Sequence, residues 1–141
     1  MKFQLFDQTI DSKFSQDFLD ITDWVLEDIQ KSGVQNGLVT IFTPHTTCAV
    51  FLNEKEYNLN QDMHDWLEKV VPQKGKYRHN KSSVDDRPNT HAHLRTLLLQ
   101  SSVSIPIENG KCLIGSWQRV LFAELDGPRN GRKVMVHVMG E

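Results

Sequence analysis

The chain lacks the features that would place it in several large protein classes. It has no long hydrophobic stretch. Cys48 leads into the longest wholly apolar run, Ala49 to Leu52, far short of the roughly 20 residues that cross a bilayer. It has only two cysteines, Cys48 and Cys112, far apart and in no C-x-x-C pattern. Nothing in their spacing supports a disulfide, and both suit small buried thiols in a reducing cytoplasm. Positive charge is not in excess: 16 Lys and Arg stand against 18 Asp and Glu, for a net charge of −2. With the basic residues scattered, nucleic acid is disfavoured as the main partner. The N-terminal stretch Met1-Lys-Phe-Gln-Leu-Phe-Asp7 has no sustained apolar segment and no small-residue cleavage site, so no signal peptide is expected. Repeats, linkers and low-complexity tracts are also missing.

What remains is a chain of 141 residues, 38% hydrophobic, the size of one domain with a real core. Residues 2–10 alternate and predict an opening strand. Phe14, Phe18, Ile21, Val25 and Ile29 recur at helical spacing, with Ser15 as a cap and Gly33 as a stop. Leu38 to Glu54 is β-prone, rich in Val, Ile, Phe and Thr, and Pro44 breaks it in the middle. A second helix is expected from about Lys55, with Leu59, Met63, Trp66, Leu67 and Val70 on its apolar face and Pro72 at its end. Residues 73–89 show no periodicity, and a loop this long in a small domain is disordered or functional. Asn89 or Thr90 caps a third helix carrying Leu94, Leu97, Leu98 and Leu99. Asn109-Gly110 signals a hairpin. Trp117 to Asp126 alternates as a strand, and Lys133 to Met139 closes the chain with Val134, Val136 and Val138 on one face. Three helices interspersed with hairpins indicate a single α+β domain over residues 1–141, with largely antiparallel sheets.

The polar junctions hold the candidate chemistry. His45 sits at the proline break, followed by the hydroxyls of Thr46 and Thr47. His79 lies in the long loop, and His91 and His93 near the third helix start. Neutral imidazoles bind zinc-like ions, and three with an open position make a reactive site. His91 and His93 are two residues apart, so on a helix they point about 200° apart and do not share one ion. His93 is therefore preferred as a ligand over His91. The plain alternative is that each histidine hydrogen-bonds a loop carbonyl. Along the late strand, Gln118, Val120, Phe122, Glu124 and Asp126 share one face by the two-residue period. Acids on such a face serve as acid, base or ligand, or else Glu124 pairs with an arginine and Asp126 shapes the turn. Arg129 and Arg132, flanking Asn130-Gly131, suit phosphate or carboxylate. Asn53, Glu54 and Asn89 are further polar residues at element ends; Glu54 also suits the start of the second helix.

Taken together, these segments resemble the YjbQ-like family. The motifs are Pro44-His45-Thr46-Thr47 with Asn53-Glu54, Tyr77-x-His79-Asn80, Asn89-x-x-x-His93-Leu94, Ile105-Pro106-Ile107, Gly115-x-Trp117-Gln118 and Glu124-x-Asp126-Gly127-Pro128-Arg129-x-x-Arg132. They run in order over nearly the whole chain and end at Gly140-Glu141. Two positions depart: Cys48 stands where alanine is expected, and His91 where a non-ligand residue is expected. The resemblance implies a small cytoplasmic α+β protein that assembles as a homotrimer. It also implies a secondary, weak thiamine-phosphate synthase activity, joining hydroxymethylpyrimidine diphosphate to thiazole phosphate with release of pyrophosphate. A divalent metal would be held by His45, His79 and His93, with Glu54, Asn89, Glu124, Asp126 and Arg129 around it.

These residues suggest roles in a metal-assisted enzyme acting on a small phosphorylated molecule. The ion and Arg129 neutralise phosphate, Glu54 or Asp126 moves a proton with His45 beside it, and Thr46 and Thr47 donate to phosphate oxygens. Asn53, Asn89, Gln118 and Glu124 complete the substrate-binding set. Imidazole ligands favour a zinc-like ion, whereas diphosphate chemistry favours Mg²⁺ with oxygen ligands. A hydrolase of another phosphorylated or carbonyl substrate fits the same ligands. So does a non-catalytic homotrimer that binds a metal or anion.

Overall fold

The computed structural model describes residues 1–141. Eight strands and three α-helices follow in the order β1 (Lys2–Ile10), β2 (Asp17–Asp20), α1 (Thr22–Ser32), β3 (Gly37–Phe42), β4 (Cys48–Asn53), α2 (Tyr57–Val70), α3 (Thr90–Leu99), β5 (Ser102–Glu108), β6 (Lys111–Cys112), β7 (Arg119–Glu124) and β8 (Arg132–Gly140). A single 3₁₀ turn, His79–Lys81, lies between α2 and α3. The strands form two sheets, β1-β8-β3-β5-β6 and β2-β7-β4. Every pairing is antiparallel. The α+β architecture expected from the sequence is the one observed. No helix is long and apolar enough to cross a membrane.

The main core lies between the inner faces of the two sheets and α1. Val134, Val136 and Val138 of β8 meet Val39 and Ile41 of β3, Val50 of β4, Val120 and Phe122 of β7, and Val25 and Ile29 of α1. A second cluster, including Ala49, Leu67, Ala92, Ala123 and Leu125, fills the other face of the small sheet, beneath α2 and α3. β7 is thus buried on both faces, so the alternation expected over Trp117 to Asp126 gives way to a continuous apolar run, Val120-Leu-Phe-Ala123. Asn109 (φ 52°) and Gly110 (φ 73°) make the β5–β6 turn, as an Asn-Gly pair does in a type I′ hairpin. Gly33, at φ 66°, ends α1 in the left-handed conformation.

The helices differ from expectation in informative ways. α1 begins at Thr22, not near Ser15. The Asp20 carboxylate accepts from the Thr22 amide at 3.0 Å and its hydroxyl at 2.6 Å, organising the helix start there. The residues before it pair as β2 with β7, so Phe18 faces the core from a strand and Phe14 is exposed. In α2 only Leu67 is buried, and Glu56, not Glu54, caps the helix through the amides of Asn58 and Leu59. α3 turns the opposite face inward from the leucine stripe. Leu94, Leu97 and Leu98 are exposed, while His91, Ala92 and Arg95 are buried. Arg95 anchors that face: its guanidinium donates to the Val71 carbonyl, the Gln16 side chain and Glu68. Those bonds dock the end of α2 against α3, and a polar anchor has overridden the hydrophobic periodicity.

Candidate functional site

The segment 43–47 carries the chain from β3 in the large sheet to β4 in the small one. Pro44 cannot donate to a ladder, and the sheets part at this point. β3 pairs with β8 only as far as Phe42 opposite Met135, so the amide of Lys133 lies beyond the β3 ladder. The Nε2 atom of His45 takes it, accepting from the Lys133 N–H at 2.9 Å. A backbone N–H only donates, so Nε2 is unprotonated and the neutral ring carries its hydrogen on Nδ1. Burial first, then the nearby Arg132, lowers the His45 pKa from its ordinary 6.5.

Beside His45 opens a cleft of about 470 Å³, lined by Thr46, Thr47, His79, Asn89, His93 and Arg129 among others. The rings of His79 and His93 meet edge to face, with centroids 4.8 Å apart. The wall is almost entirely polar, with Val84 from the 79–89 loop as its apolar exception.

Two ion-pair systems hold this wall. The first is wholly internal. Glu124 is completely buried and accepts from Arg132 at 2.9 and 2.7 Å and from the Ser12 hydroxyl at 2.8 Å. Burial alone would raise its pKa, but the Arg132 and Ser12 hydrogen bonds hold it below the usual glutamate value. Arg132 also donates to the Thr47 hydroxyl oxygen at 2.9 Å, leaving that hydroxyl's hydrogen free. Burial and Glu124 push the Cys48 thiol far up, so it stays protonated.

The second system centres on Asp126. Its carboxylate accepts from Arg87 at 3.0 and 2.9 Å, from the Asn89 amide at 2.9 Å and from Arg129 at 2.8 Å. Burial opposes ionisation here too, but Arg87, Asn89 and Arg129 outweigh it and lower the pKa to about 2. One carboxylate therefore ties together the 79–89 loop, the start of α3 and the 126–131 turn. Gly127 in that turn lies so close to the Phe14 carbonyl and the Glu124 side chain that a Cβ would collide with both.

Several sequence-predicted roles change. Asp126 is saturated with donors, which hold its carboxyl pKa at about 2, and it organises the wall of the cleft. Glu124 has no access to a substrate, because it is enclosed against Arg132. Asn53, Glu54 and Gln118 lie away from the histidines. Asn53 and His45 flank opposite ends of β4, a six-residue strand, roughly 20 Å apart at strand rise. Glu54 lines a separate surface cleft with Trp117 and Arg119. Gln118 is outside β7 and accepts from the Gly115 amide at 2.8 Å. His45 contributes no free lone pair to an ion, because its unprotonated nitrogen is engaged by Lys133.

His79 and His93 lie side by side, edge to face, at the mouth of this cleft. No group of three or more His, Cys, Asp or Glu side chains converges anywhere in the chain. The set brought together is therefore His45, Thr46, Thr47, His79, Asn89, His93 and Arg129. Sequence reasoning missed Arg87 as the partner of Asp126; its place in Asp85-Asp86-Arg87 was visible, but its partner is 39 residues away.

The family description "UPF0047 protein YjbQ-like" matches residues 7–141. A UPF0047 protein of Methanothermobacter thermautotrophicus is 42% identical over 125 residues, 89% of this chain and 84% of that one. One from Archaeoglobus fulgidus is 42% identical over 119 residues, 84% of this chain and 89% of the relative. A crystal structure from Sulfolobus solfataricus P2, described as a YbjQ-like protein of unknown function, superposes with a TM-score of 0.93 at 34% identity. It covers 99% of both chains. By this match across nearly its whole length, the chain belongs to the UPF0047 YjbQ-like family.

Proposed function

We propose that the chain is an enzyme acting on a small phosphorylated molecule bound in the cleft between His45, His79, His93 and Arg129. The observation that carries this reading is the convergence of three imidazoles, two arginines and two threonines on one polar cleft of about 470 Å³. Its polarity suits a charged ligand rather than a lipid. Arg129 spends Nε and Nη2 on Asp126 and keeps Nη1 for an anion. The free hydroxyl hydrogens of Thr46 and Thr47 and the Nδ1–H of His45 supply further donors to phosphate oxygens. His79 and His93 replace Asp126 and Glu54 as the groups that move a proton, since both rings are free of intramolecular hydrogen bonds. Where a zinc-like ion or Mg²⁺ is bound, His79 and His93 would hold it, and it would neutralise phosphate charge. Substrate or water oxygens would complete its shell.

A displacement that releases pyrophosphate is within the reach of these groups. Joining hydroxymethylpyrimidine diphosphate to thiazole phosphate is the reaction of this kind that we propose first. Hydrolysis of another phosphate ester is the second reading, favoured by the absence of an apolar wall that would exclude water. We further read the protein as a cytoplasmic homotrimer. Both cysteines are free thiols, and the outer sheet face shows Phe3, Leu5, Leu38 and Met139 to solvent. Patches of that kind mark association surfaces.

The test is complementation of a thiamine-requiring strain by wild type and by His45→Ala, with thermal melting and elemental metal content measured on both. A folded variant that no longer complements supports the enzymatic reading. A wild-type protein that turns over neither substrate set, with His45→Ala changing only the melting temperature, defeats it.

A further inference from the structure

His91 and His93 diverge from α3, as their spacing requires, and each opens into a different cleft. His93 lines the cleft described above. His91 lines a second one, about 310 Å³, with Ser15, Gln73, Arg87 and Asp126. The two clefts have no lining residue in common, and the cluster around Asp126 divides them.

We propose that this second cleft is a binding site for a compact oxyanion, a phosphate or carboxylate group, with His91 and Arg87 as its principal donors. His91 is only 6% exposed, and its Nδ1 is enclosed without a hydrogen-bond partner. Native interiors tolerate an orphaned acceptor better than an orphaned N–H. With Nδ1 enclosed, Nε2 is the nitrogen left on the accessible side of the ring, and we assign the ring proton to it.

The other walls are donors as well. Arg87 commits Nε and Nη2 to Asp126 and leaves Nη1 free. Gln73 uses its backbone amide toward Glu68 and leaves its side-chain amide unengaged. Ser15 gives only its carbonyl, to Gly127, and keeps its hydroxyl. Asp126 is the one acidic wall residue, and Arg87, Arg129 and Asn89 already occupy its oxygens. Arg87 is the cation of this wall, with Asp126 and the neighbouring Asp85 beside it. Four donor side chains around a half-open cleft, one of them buried and unpartnered, match the acceptor-only surface of an oxyanion.

The site does not depend on the reaction proposed for the first cleft. The test is a titration of the full-length protein with inorganic phosphate, and separately with acetate, followed by the imidazole NMR signals of His91, His79 and His93. Saturable movement of the His91 signals by either anion, retained in His93→Ala, supports the site. Response to both anions identifies the shared carboxylate-and-phosphate chemistry; response to phosphate alone narrows it to phosphate esters. In His91→Phe, phosphate affinity at the Gln73 side-chain amide should fall about tenfold, the size of one hydrogen bond to a charged group. Gln73→Ala is an exposed change that keeps the experiment decisive if His91→Phe fails to fold; it should weaken the His91 response about threefold. The proposal is overturned if His91 stays unmoved to tens of millimolar of both anions, or if both variants bind as tightly as wild type. Failure of the first cleft would appear separately, as unresponsive His79 and His93.

Discussion

Replacing Asp126 with asparagine should remove stability in a way that depends on pH. The carboxylate pKa lies at about 2 in the fold against an ordinary 3.8. At about 1.4 kcal/mol per unit, this difference corresponds to roughly 2 kcal/mol of stability. A depressed carboxyl contributes fully above its unfolded value and loses its contribution as pH falls through the folded value. The effect is therefore complete at pH 6 and vanishes from about pH 4 to pH 2. Asparagine offers one acceptor oxygen where Arg87, Arg129 and Asn89 now share two, and turns an N–H₂ toward the arginines. Urea unfolding of wild type and Asp126→Asn, at fixed protomer concentration from pH 7 to pH 2, reads the difference. Glu124, also depressed, titrates in both proteins and cancels. The stability gap should narrow by about 2 kcal/mol on acidification. A gap that stays constant with pH would refute the assignment of Asp126 as the ionised hub.

Other expectations follow from single contacts. In nitrogen-15 spectra His45 should be the Nδ1–H tautomer at pH 7.5 and titrate below 6.5, since it accepts from Lys133 and is held down by burial and then Arg132; an Nε2–H tautomer would contradict this. Phe122→Ala, at a wholly buried position of β7, should cost about 3–5 kcal/mol in denaturant unfolding. Arg132→Met leaves Glu124 buried without its cation and should cost a similar amount, about 3–5 kcal/mol. A melting temperature unchanged in Arg132→Met would show that the pair is not enclosed.

Much of the frame was legible because local signals and tertiary demands agree. Alternation in β1, the valines of β8, the Asn109-Gly110 turn and the Gly33 stop all describe backbone states that neighbouring residues decide. The start of α1 was not legible. Phe14, Phe18 and Ile21 happen to keep helical spacing, while pairing with β7 pulls Phe18 into a strand. The inward face of α3 was hidden for a related reason. Its anchor is Arg95, whose partners come from residues 16, 68 and 71. In the candidate site, residue type and junction position singled out the histidines, the family resemblance grouped His45, His79 and His93 with Arg129, and the fold brings these four to one cleft. The fates of the acids were not. The two-residue period put Glu124 and Asp126 on one strand face, but β7 ends at Glu124, and only the fold shows that arginines hold both. Glu54 and Gln118 were drawn in by motif membership, yet the strand lengths place them elsewhere.

The most direct test of the His79–His93 cleft is release of phosphate or pyrophosphate from a panel of phosphorylated small molecules, including hydroxymethylpyrimidine diphosphate with thiazole phosphate. Wild type, His79→Ala and His93→Ala should be compared at equal folded concentration. Turnover by wild type, falling at least about a hundredfold in each variant while melting temperatures hold, is the result expected for positioned proton-transfer groups. Turnover unchanged in both variants would contradict the assignment of the active site to this cleft.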